Sequence, residues 1–334
     1  MSNELRKMAE QNKILEIVAG SHLYGTNTPE SDEDFVGIFM PPPEYVYGLQ
    51  TVKEVDFSII DKGENGKNTA DAIDRKLYEF RKFISLAQGN NPNIMEMLFV
   101  PEKSIKYISD IGKKLLAVRD LFPSKQAVPK FKGYANSQKH KMIIRRDHFN
   151  DLREGYNTLC KMGDNQCLIE VMSKEHLILD EKSNAFRPLF WTKEGAKHIH
   201  IGDLCFEPGL YVKKVRKKLK ERLDKVTNRS ELVLKHGYDT KFGSHLIRLL
   251  YEGLDILNEG KLTFPLKNAD FLLNIKNGAL SLKEILELAD DLEAQYEKAE
   301  KKSNLPKTPN FNRIEKFTIE TLQEFLHPKK NTKL

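Results

Sequence analysis

The stretch GSHLYGTNTPESDEDFVG, from Gly20 to Gly37, decides the fold of the N-terminal part of the chain. It joins a Gly-Ser turn to two carboxylates, Asp32 and Asp34, that open an apolar run. Side chains two residues apart on a strand point to the same side of a sheet. Paired carboxylates suit hard divalent cations, and a Gly-Ser turn offers N–H groups and a hydroxyl to a triphosphate. The stretch therefore predicts a small sheet that carries the parts of a nucleotidyl-transfer site.

Each residue type in this stretch has a chemical reason to be there. Gly20 lets the backbone approach a phosphate closely, and Ser21 can donate its hydroxyl and N–H to the terminal phosphates. Asp32 and Asp34 are predicted to be catalytic and to bind Mg²⁺, because two such close negative charges repel unless a cation or a proton compensates them. The alternative is an acidic surface turn, but the apolar strand after Asp34 favours a buried sheet.

A third carboxylate is expected on a neighbouring strand, either as the general base for the attacking hydroxyl or as a shared metal ligand. Asp74 is the chosen candidate because it opens the segment DRKLY. Asp71, Asp56 and Glu79 remain alternatives, and Asp56 is a serious one because it lies inside EVDFSII between Val55 and Phe57.

The composition predicts a two-domain protein. The 334 residues exceed the usual size of one compact core, and no run of about 18 apolar residues predicts a membrane span. Three cysteines without CxxC spacing fit reduced thiols, and the N-terminus lacks a signal-peptide pattern, so a cytoplasmic location is expected. We predict an α/β (α+β) domain with a small mixed sheet over 1–104, followed by a mostly helical substrate-binding and nucleotide-binding domain over 105–334.

Hydrophobic spacing predicts the elements in outline. Residues 3–17 show helical spacing, although the apolar run before Gly20 allows a first strand there instead. Residues 181–210 are expected to be irregular, and the spacing of His198, His200 and Cys205 matches no zinc pattern. Strands are predicted over 34–40, 51–60 and 74–78, and helices over 79–87, 93–99, 127–160, 165–180, 211–226, 240–259, 269–276 and 281–302.

Basic residues are concentrated in two segments, although the net charge is only +6. One is KKVRKKLKER at 213–222, and the other covers 124–146. Either segment suits a phosphate backbone, and either equally suits a solvated helix face.

The segment HGYDTKFGSHLIRLL, residues 236–250, is the most distinctive part of the C-terminal half. Lys241, His245 and Arg248 fall on one helix face, which suits nucleotide phosphates or RNA and equally suits a polar outer surface. Tyr238 is a candidate for stacking on a base, with packing as the alternative. These four residues are therefore predicted to bind the nucleotide.

The pattern GSxxYGxxxxxSDxDFxG resembles the signature of the DNA polymerase β-type nucleotidyltransferase superfamily. More narrowly, the chain resembles the bacterial and phage YcgL/RlaP-like predicted nucleotidyltransferases associated with RNA repair. The stretches that carry this resemblance, over roughly residues 15–310, are TPESDEDFVGIFMPP, YEFRKFISLAQGNNPNIMEMLF, FKGYANSQ, HGYDTKFGSHLIRLL and GKLTFPLKNADFLLNIKNG.

The resemblance implies attack of an acceptor hydroxyl on the α-phosphate of an NTP with release of pyrophosphate. It implies that Asp32 and Asp34 hold Mg²⁺ in a two-metal arrangement, and that the acceptor is RNA, such as tRNA ends or broken RNA. Two alternatives stay open: nucleotidylation (AMPylation-type) of a protein or small molecule, and a catalytically inactive module that senses nucleotides. No membrane partner is expected.

Overall fold

The structure is a computed structural model that describes residues 3–29, 31–59, 73–174, 190–191, 197–224 and 228–328. Asp71, one of the alternatives for the third carboxylate, lies outside the described residues. The described chain forms two compact units. The first comprises Met1–Asn136, Ser244–Ile275 and Lys283–Leu334, and the second comprises Ser137–Gly243 and Lys276–Leu282.

The first unit is built on a mixed sheet, which has five strands in the described residues. In chain order the strands are β1 (Lys13–Ala19), β2 (Asp34–Phe39), β3 (Glu54–Asp56), β4 (Asp74–Glu79) and β5 (Ile105–Ile108). Their order across the sheet is β3-β4-β2-β1-β5. Only the central pair β2 and β4 is parallel among these contacts, and the other neighbours are antiparallel.

Side-chain alternation explains how this sheet is buried. One face carries Phe39, Val55 and Leu77, which form a core cluster with Val52 and with Ala9 of the first helix. The opposite face carries the side chains of the residues that begin β2 and β4. Leu15, Ile17 and Ile38 are fully buried on that opposite face, so both faces of the sheet pack, and the polar groups lie where β2 and β4 begin.

Helices make up most of the remaining described chain. In chain order they are α1 (Asn3–Gln11), α2 (Gly20–Tyr24), α3 (Pro43–Val46), α4 (Phe80–Gln88), α5 (Pro92–Leu98), α6 (Asp110–Ala117), α7 (Ala127–Leu159), α8 (Leu168–Lys174), α9 (Val212–Asp224), α10 (Asn228–His236), α11 (Thr240–Glu259), α12 (Ala269–Lys276), α13 (Leu282–Lys302) and α14 (Phe311–Leu326). None of the helices in the described ranges has both the length and the apolar character needed to cross a bilayer.

The second unit has its own core. Strands β6 (Phe190–Trp191), β7 (Lys197–Ile201) and β8 (Leu204–Phe206) pair antiparallel, with His200 opposite Cys205. The buried residues of β7 and β8 pack with α7, α8 and α9 in one cluster of apolar side chains, which includes Leu152, Leu159, Leu168, Val171, Ile199, Ile201, Phe206, Val212, Val215 and Leu219.

The predicted fold class is confirmed: an α/β region with a mixed sheet precedes a mostly helical part. The prediction of one helix over 3–17 is wrong, because α1 ends at Gln11 and β1 begins at Lys13. The run KILEIVA is buried between two neighbouring strands, and such a strand is nearly continuously apolar rather than alternating. The irregular structure expected over 181–210 is likewise wrong at β7 and β8. The domain division at residue 104 stays a prediction.

Candidate active site

The candidate site begins at the end of β1. The strand ends at Ala19, and Gly20 opens α2 with φ at +62°. A Cβ atom at Gly20 would collide with the carboxylate of Asp34. The turn therefore requires glycine for two reasons, its left-handed backbone and its direct approach to an acidic side chain.

The loop after α2 folds back on the helix. The backbone N–H of Thr28 donates to Ser31 Oγ at 2.9 Å, and Ser31 N donates to the Thr28 carbonyl at 2.9 Å. His22 Nε2 lies 3.3 Å from the Ser31 carbonyl oxygen. These contacts return the chain to the turn, so that exposed Asp32 and half-buried Asp34 follow directly at the start of β2.

Asp34 and Asp74 are opposite each other at the ends of two parallel strands. They are register partners where β2 pairs with β4, so their side chains leave the sheet on the same face. Ser58 Oγ donates to Asp74 Oδ1 at 3.0 Å and accepts from the backbone N–H of Arg75 at 3.2 Å. Ser58 thereby holds the exposed Asp74 carboxylate beside that of Asp34.

The electrostatics of Asp34 reflect this concentration of negative charge. Its pKa is raised to about 6, first by partial burial and then by the carboxylates of Asp32 and Asp74, against a smaller lowering by His22. Like charges that share a site disfavour ionisation, whereas a bound cation restores it. The three aspartates therefore form an acidic site whose charge calls for compensation.

The described alternatives for the third carboxylate have other partners. Asp56 ends β3 opposite Lys76 and accepts from the Ser58 backbone N–H at 2.8 Å; this bonding to Ser58 lowers its pKa. Glu79 is buried and caps α4, where its carboxylate accepts from the backbone N–H groups of Arg81 and Lys82. The contacts thus favour Asp74, whose assignment as the general base stays a prediction.

Arg75 follows Asp74 in sequence but serves the other face of the sheet. Its Nε donates to Glu16 Oε1 at 2.5 Å and its Nη2 to Glu10 Oε2 at 2.6 Å. Lys13 completes this network through Glu10 and Glu16. The nearest basic residue in sequence is therefore paired away from Asp74.

No three His, Cys, Asp or Glu side chains in the described residues form a ready-made set of metal ligands. The donor chemistry nevertheless fits Mg²⁺, which is usually bound through one or two carboxylates together with substrate phosphates. Asp32 and Asp34 supply hard oxygen donors, and the charges of Asp32 and Asp74 contribute to the raised pKa of Asp34. These residues would hold such a metal.

Two of the predicted nucleotide-binding residues lie in the second unit. Tyr238 is fully buried, and its hydroxyl donates to the Leu280 carbonyl at 2.8 Å. This contact supports the packing alternative. Lys241 is half-buried in the first turn of α11. Roles for either residue in nucleotide binding stay predictions.

The other two, His245 and Arg248, belong to the first unit and differ in exposure. His245 is exposed, whereas Arg248 is 6 % exposed. Arg248 Nη1 donates to the carboxylates of Glu96 and Glu252, which also belong to the first unit. The shared helix face predicted for these cations is therefore not a uniform polar surface.

Sequence reasoning missed Ser58, which orients Asp74. A pattern could have found it, since Asp56 and Ser58 are two residues apart in the predicted strand and Ser58 falls opposite Asp74. It also missed Tyr24 and Glu96, whose contact spans 72 positions and has no local pattern.

Comparisons with known proteins agree with this geometry. Residues 1–159 match the family model RlaP, described as an RNA repair pathway DNA polymerase beta family. The chain is 28 % identical over 295 residues to an uncharacterized 38.9 kDa protein in the nrdC-mobD intergenic region of Enterobacteria phage T4, covering 84 % of this chain and 87 % of that protein. No solved structure matches the chain. The match covers Gly20, Asp34 and Asp74, so the part of the chain that carries the acidic site is similar to the DNA polymerase β superfamily.

Proposed function

We propose that the protein is a Mg²⁺-dependent nucleotidyltransferase that transfers a nucleoside monophosphate from an NTP to a hydroxyl of RNA. The observation that carries the proposal is the register of Asp34 opposite Asp74, with Gly20 against Asp34. Membership of the N-terminal segment in an RNA-repair polymerase β family supports nucleotidyl transfer as the reaction.

The residues divide the chemistry among them. Gly20 and Ser21 receive the triphosphate, and Asp74, oriented by Ser58, accepts the proton of the acceptor hydroxyl. The acceptor oxygen forms a bond to the α-phosphorus while the bond to pyrophosphate breaks, so pyrophosphate leaves with the electron pair of that bond. Two Mg²⁺ ions held by Asp32 and Asp34 would supply charge stabilisation to the attacking and leaving oxygens.

The test is transfer of label from each α-labelled NTP, with Mg²⁺, to RNA, including a tRNA pool. We expect label in RNA with wild type and at least a hundredfold loss in Asp34→Asn and Asp74→Asn, because removal of an electrostatic catalytic group typically costs this much. Glu33→Gln is the matched control: Glu33 is an exposed carboxylate between Asp32 and Asp34, and it is not among the charged groups that shift the pKa of Asp34.

Label found elsewhere than in RNA, or no transfer of label, would change the proposed acceptor or the proposed activity. Label in protein or in a small molecule, lost in Asp34→Asn, would replace RNA with that acceptor. NTP binding without pyrophosphate release under all conditions would contradict the transferase and favour a nucleotide sensor.

The second unit supports RNA as the acceptor class. Helix α9 buries Val212, Val215 and Leu219 on one side and exposes lysines on the other. Its two arginines pair within the unit, Arg216 with Asp164 and Arg222 with Asp203. Among the described residues, the exposed lysines of α9 make one ion pair, between Lys217 and Glu221 at 3.9 Å. These lysines are Lys213, Lys214, Lys217, Lys218 and Lys220.

A salt titration tests this surface. Lysines that neutralise phosphates make the affinity for RNA fall with salt, with a slope near one per contact. We expect Lys213→Ala/Lys214→Ala/Lys218→Ala to weaken RNA binding and to reduce the slope by about two to three. The control, Lys301→Ala/Lys302→Ala, removes exposed lysines near acidic residues of α13 and should change neither. An unchanged slope in the α9 variant would rule out this helix as the RNA contact.

A further inference from the structure

A buried ionic cluster stands in the first unit and is not explained by the acidic site. It consists of Tyr24, Glu96, Arg248 and Glu252, called here the Arg248 cluster. Tyr24 Oη donates to Glu96 Oε2 at 2.8 Å. Arg248 Nη1 donates to both oxygens of Glu252, at 2.9 and 3.0 Å, and to Glu96. The guanidinium carbon of Arg248 lies 4.2 Å from the centroid of the Tyr24 ring.

Burial makes this cluster costly to form. Glu96 is 4 % exposed, Arg248 6 % and Glu252 0 %. Desolvating such groups offsets much of their attraction, and an apolar set of similar volume is often at least as stable. The Nε–H of Arg248 is also buried, without a hydrogen-bond partner in the described residues. General stability is therefore a poor explanation for the cluster, and a geometric role is a better one.

The position of Tyr24 identifies what the cluster holds. Tyr24 is the last residue of α2, and Gly20, the first, is the residue against Asp34. A helix of a single turn has little stability of its own, since nucleation costs more than one turn returns. The geometry of Gly20 and Ser21 thus depends on what fixes the other end of α2.

The other end of α2 is fixed from a second direction by residues 264–266. The Tyr24 carbonyl accepts from Leu266 N at 3.1 Å, and the ring of Tyr24 lies 6.3 Å from that of Phe264. Gly25 has φ at +77°, and a Cβ atom there would come within 2.8 Å of Pro265. This segment contacts the backbone of α2, while the Arg248 cluster holds the hydroxyl of Tyr24.

We propose that Glu96, Arg248 and Glu252 are positioning residues that hold Tyr24, and through it the turn of Gly20 and Ser21, against Asp34. The inference rests on the proposed function, because it assigns this turn to the triphosphate. Arg248 then acts through Tyr24 rather than on a phosphate, and α11 shapes the nucleotide site without touching the nucleotide.

The charge state of the cluster follows from its surroundings. The pKa of Glu252 is raised to about 8, mainly by burial, with Arg248 opposing the increase and Glu96 and Asp255 adding to it. Tyr24 and Tyr296, the other titratable groups that interact with Glu252, have their pKa values raised by burial and stay neutral. As the pH rises through about 8, Glu252 loses its proton and competes more strongly with Glu96 for Arg248 Nη1.

Tyr24→Phe tests the proposal with the least disturbance, because it removes one hydroxyl and keeps the ring. Tyr47→Phe, at a tyrosine that is 65 % exposed, is the matched control. The first measurement is hydrogen exchange at Gly25 and Thr26, whose N–H groups donate to the Ser21 carbonyl. We expect at least tenfold faster exchange in Tyr24→Phe and no change in Tyr47→Phe, since a hydrogen bond to a charged group is lost.

The second measurement is NTP kinetics at a temperature where both variants are fully folded. We expect Tyr24→Phe to lower kcat/KM for the NTP about tenfold, while the KM for RNA stays unchanged. Arg248→Lys keeps the charge but loses the planar stack on Tyr24, and should behave like Tyr24→Phe. Equal effects on both substrates would indicate a general structural role and overturn the proposal.

Hydrogen exchange at Gly25 and Thr26 does not depend on transfer activity, so it tests the positioning role separately from the proposed function. Wild-type exchange rates in Tyr24→Phe would overturn the positioning role whether or not the protein transfers nucleotides. Faster exchange with unaltered NTP kinetics would overturn it as well. If wild type transfers no nucleotide, the proposed function fails. Faster exchange in Tyr24→Phe would then still show that the cluster holds the turn of Gly20 and Ser21, and only its link to the triphosphate would be lost.

Glu252→Gln tests the charge argument separately. In wild type, exchange at Gly25 and Thr26, corrected for its intrinsic dependence on pH, should accelerate as the pH rises through about 8. Glu252→Gln should remove that acceleration, because glutamine cannot ionise. The same acceleration in both proteins would exclude Glu252 from the positioning set.

Discussion

The carboxyl group of Asp34 keeps its proton to a pH at which most aspartates have lost theirs. Its pKa of about 6 follows from burial and from the carboxylates of Asp32 and Asp74. We therefore expect Asp74→Asn to lower the pKa of Asp34, in protein free of divalent cations, because one of the two repelling charges is gone. Carboxyl carbon chemical shifts, followed by NMR against pH, measure this value. An unchanged pKa would show that Asp74 does not share the site with Asp34.

Gly20 permits a second prediction at the scale of one residue. Gly20→Ala places a Cβ atom against the Asp34 carboxylate at a left-handed backbone position, where a side chain costs about 1–2 kcal/mol. We expect a lower free energy of unfolding and weaker binding of Mg²⁺ with NTP.

Gly133→Ala is the control for that variant. Gly133 lies within α7, and no atom is within 4 Å of the position of its missing Cβ. This change should stabilise the protein by about 1 kcal/mol, as alanine does in a helix interior, and leave nucleotide binding unaltered. Denaturant unfolding of both variants measures the free energy of unfolding, and calorimetric titration measures the binding of Mg²⁺ with NTP. Normal binding in Gly20→Ala would argue against the turn as the triphosphate site.

Single residues show where sequence reasoning about the site succeeds and where it ends. Asp34 opens a strand and Asp74 opens its neighbour, and both strand starts were predicted from the apolar runs that follow. That the two are register partners was beyond the sequence, because pairing between strands 40 positions apart is set by tertiary packing. The burial of Arg248 was equally out of reach, since its partner Glu96 is 152 positions away.

Helix α4 provides the prediction at the scale of an element. Glu79 caps this helix and also accepts from Arg81 Nε at 2.8 Å. We expect Glu79→Ala to destabilise the protein by about 1–2 kcal/mol, the usual cost of a lost N-cap. Transfer activity per folded molecule should persist, in contrast to Asp74→Asn, which should lose activity and keep stability.

Urea unfolding and nucleotidyl transfer, measured on the same preparations, separate these two carboxylates. Ser109→Ala is a suitable comparison, because Ser109 caps α6 through a single hydrogen bond to the Gly112 N–H. If Glu79→Ala is fully stable but inactive, Glu79 rather than Asp74 would be the catalytic carboxylate.

Other elements show why hydrophobic spacing predicted helices better than strands. Helices α11, α12 and α13 agree with their predicted bounds to within one residue, because each carries several turns of periodic apolar side chains. Strand β5 escaped prediction, since its four residues IKYI contain one short alternation. Its place at the edge of the sheet comes from antiparallel pairing with β1, which is remote in sequence.

At the scale of the whole molecule, two raised pKa values set the dependence of stability on pH. Asp34, near 6, and Glu252, near 8, both hold protons more tightly in the folded than in the unfolded chain, where 3.8 and 4.5 are ordinary values. Folding therefore takes up protons, and their contribution to stability is lost as pH rises, for Asp34 from about 4 to 6 and for Glu252 from about 4.5 to 8.

We expect the free energy of unfolding to be lower at about pH 9 than at about pH 6, and this difference to shrink in Glu252→Gln. Addition of Mg²⁺ should offset the loss that Asp34 causes and leave that of Glu252 unchanged. Urea unfolding across this range, with and without Mg²⁺, makes the measurement. A stability that rises from pH 6 to pH 9 would contradict the sign derived from these two groups.

The division of the chain into compact units is also a property of the whole molecule. The first unit takes Ser244–Ile275 and Lys283–Leu334 from the C-terminal half. A sequence read in order suggests contiguous domains, whereas packing selects segments by the faces they bury. Contacts such as Lys114 with Glu324, both in the first unit and 210 positions apart, have no counterpart in local patterns.

The alternation along β4 has a consequence for how this protein can evolve. Asp74 and Arg75 are adjacent, yet one serves the acidic site and the other the network of Glu10 and Glu16 on the opposite face. A substitution alters one of these, but a shift of one residue in the register of β4 would exchange them and place a guanidinium among the aspartates. Descendants of this protein can therefore change Asp74 and Arg75 independently of each other. A change in the number of residues between Ser58 and Asp74 is tolerated only if the register of β4 against β2 stays the same.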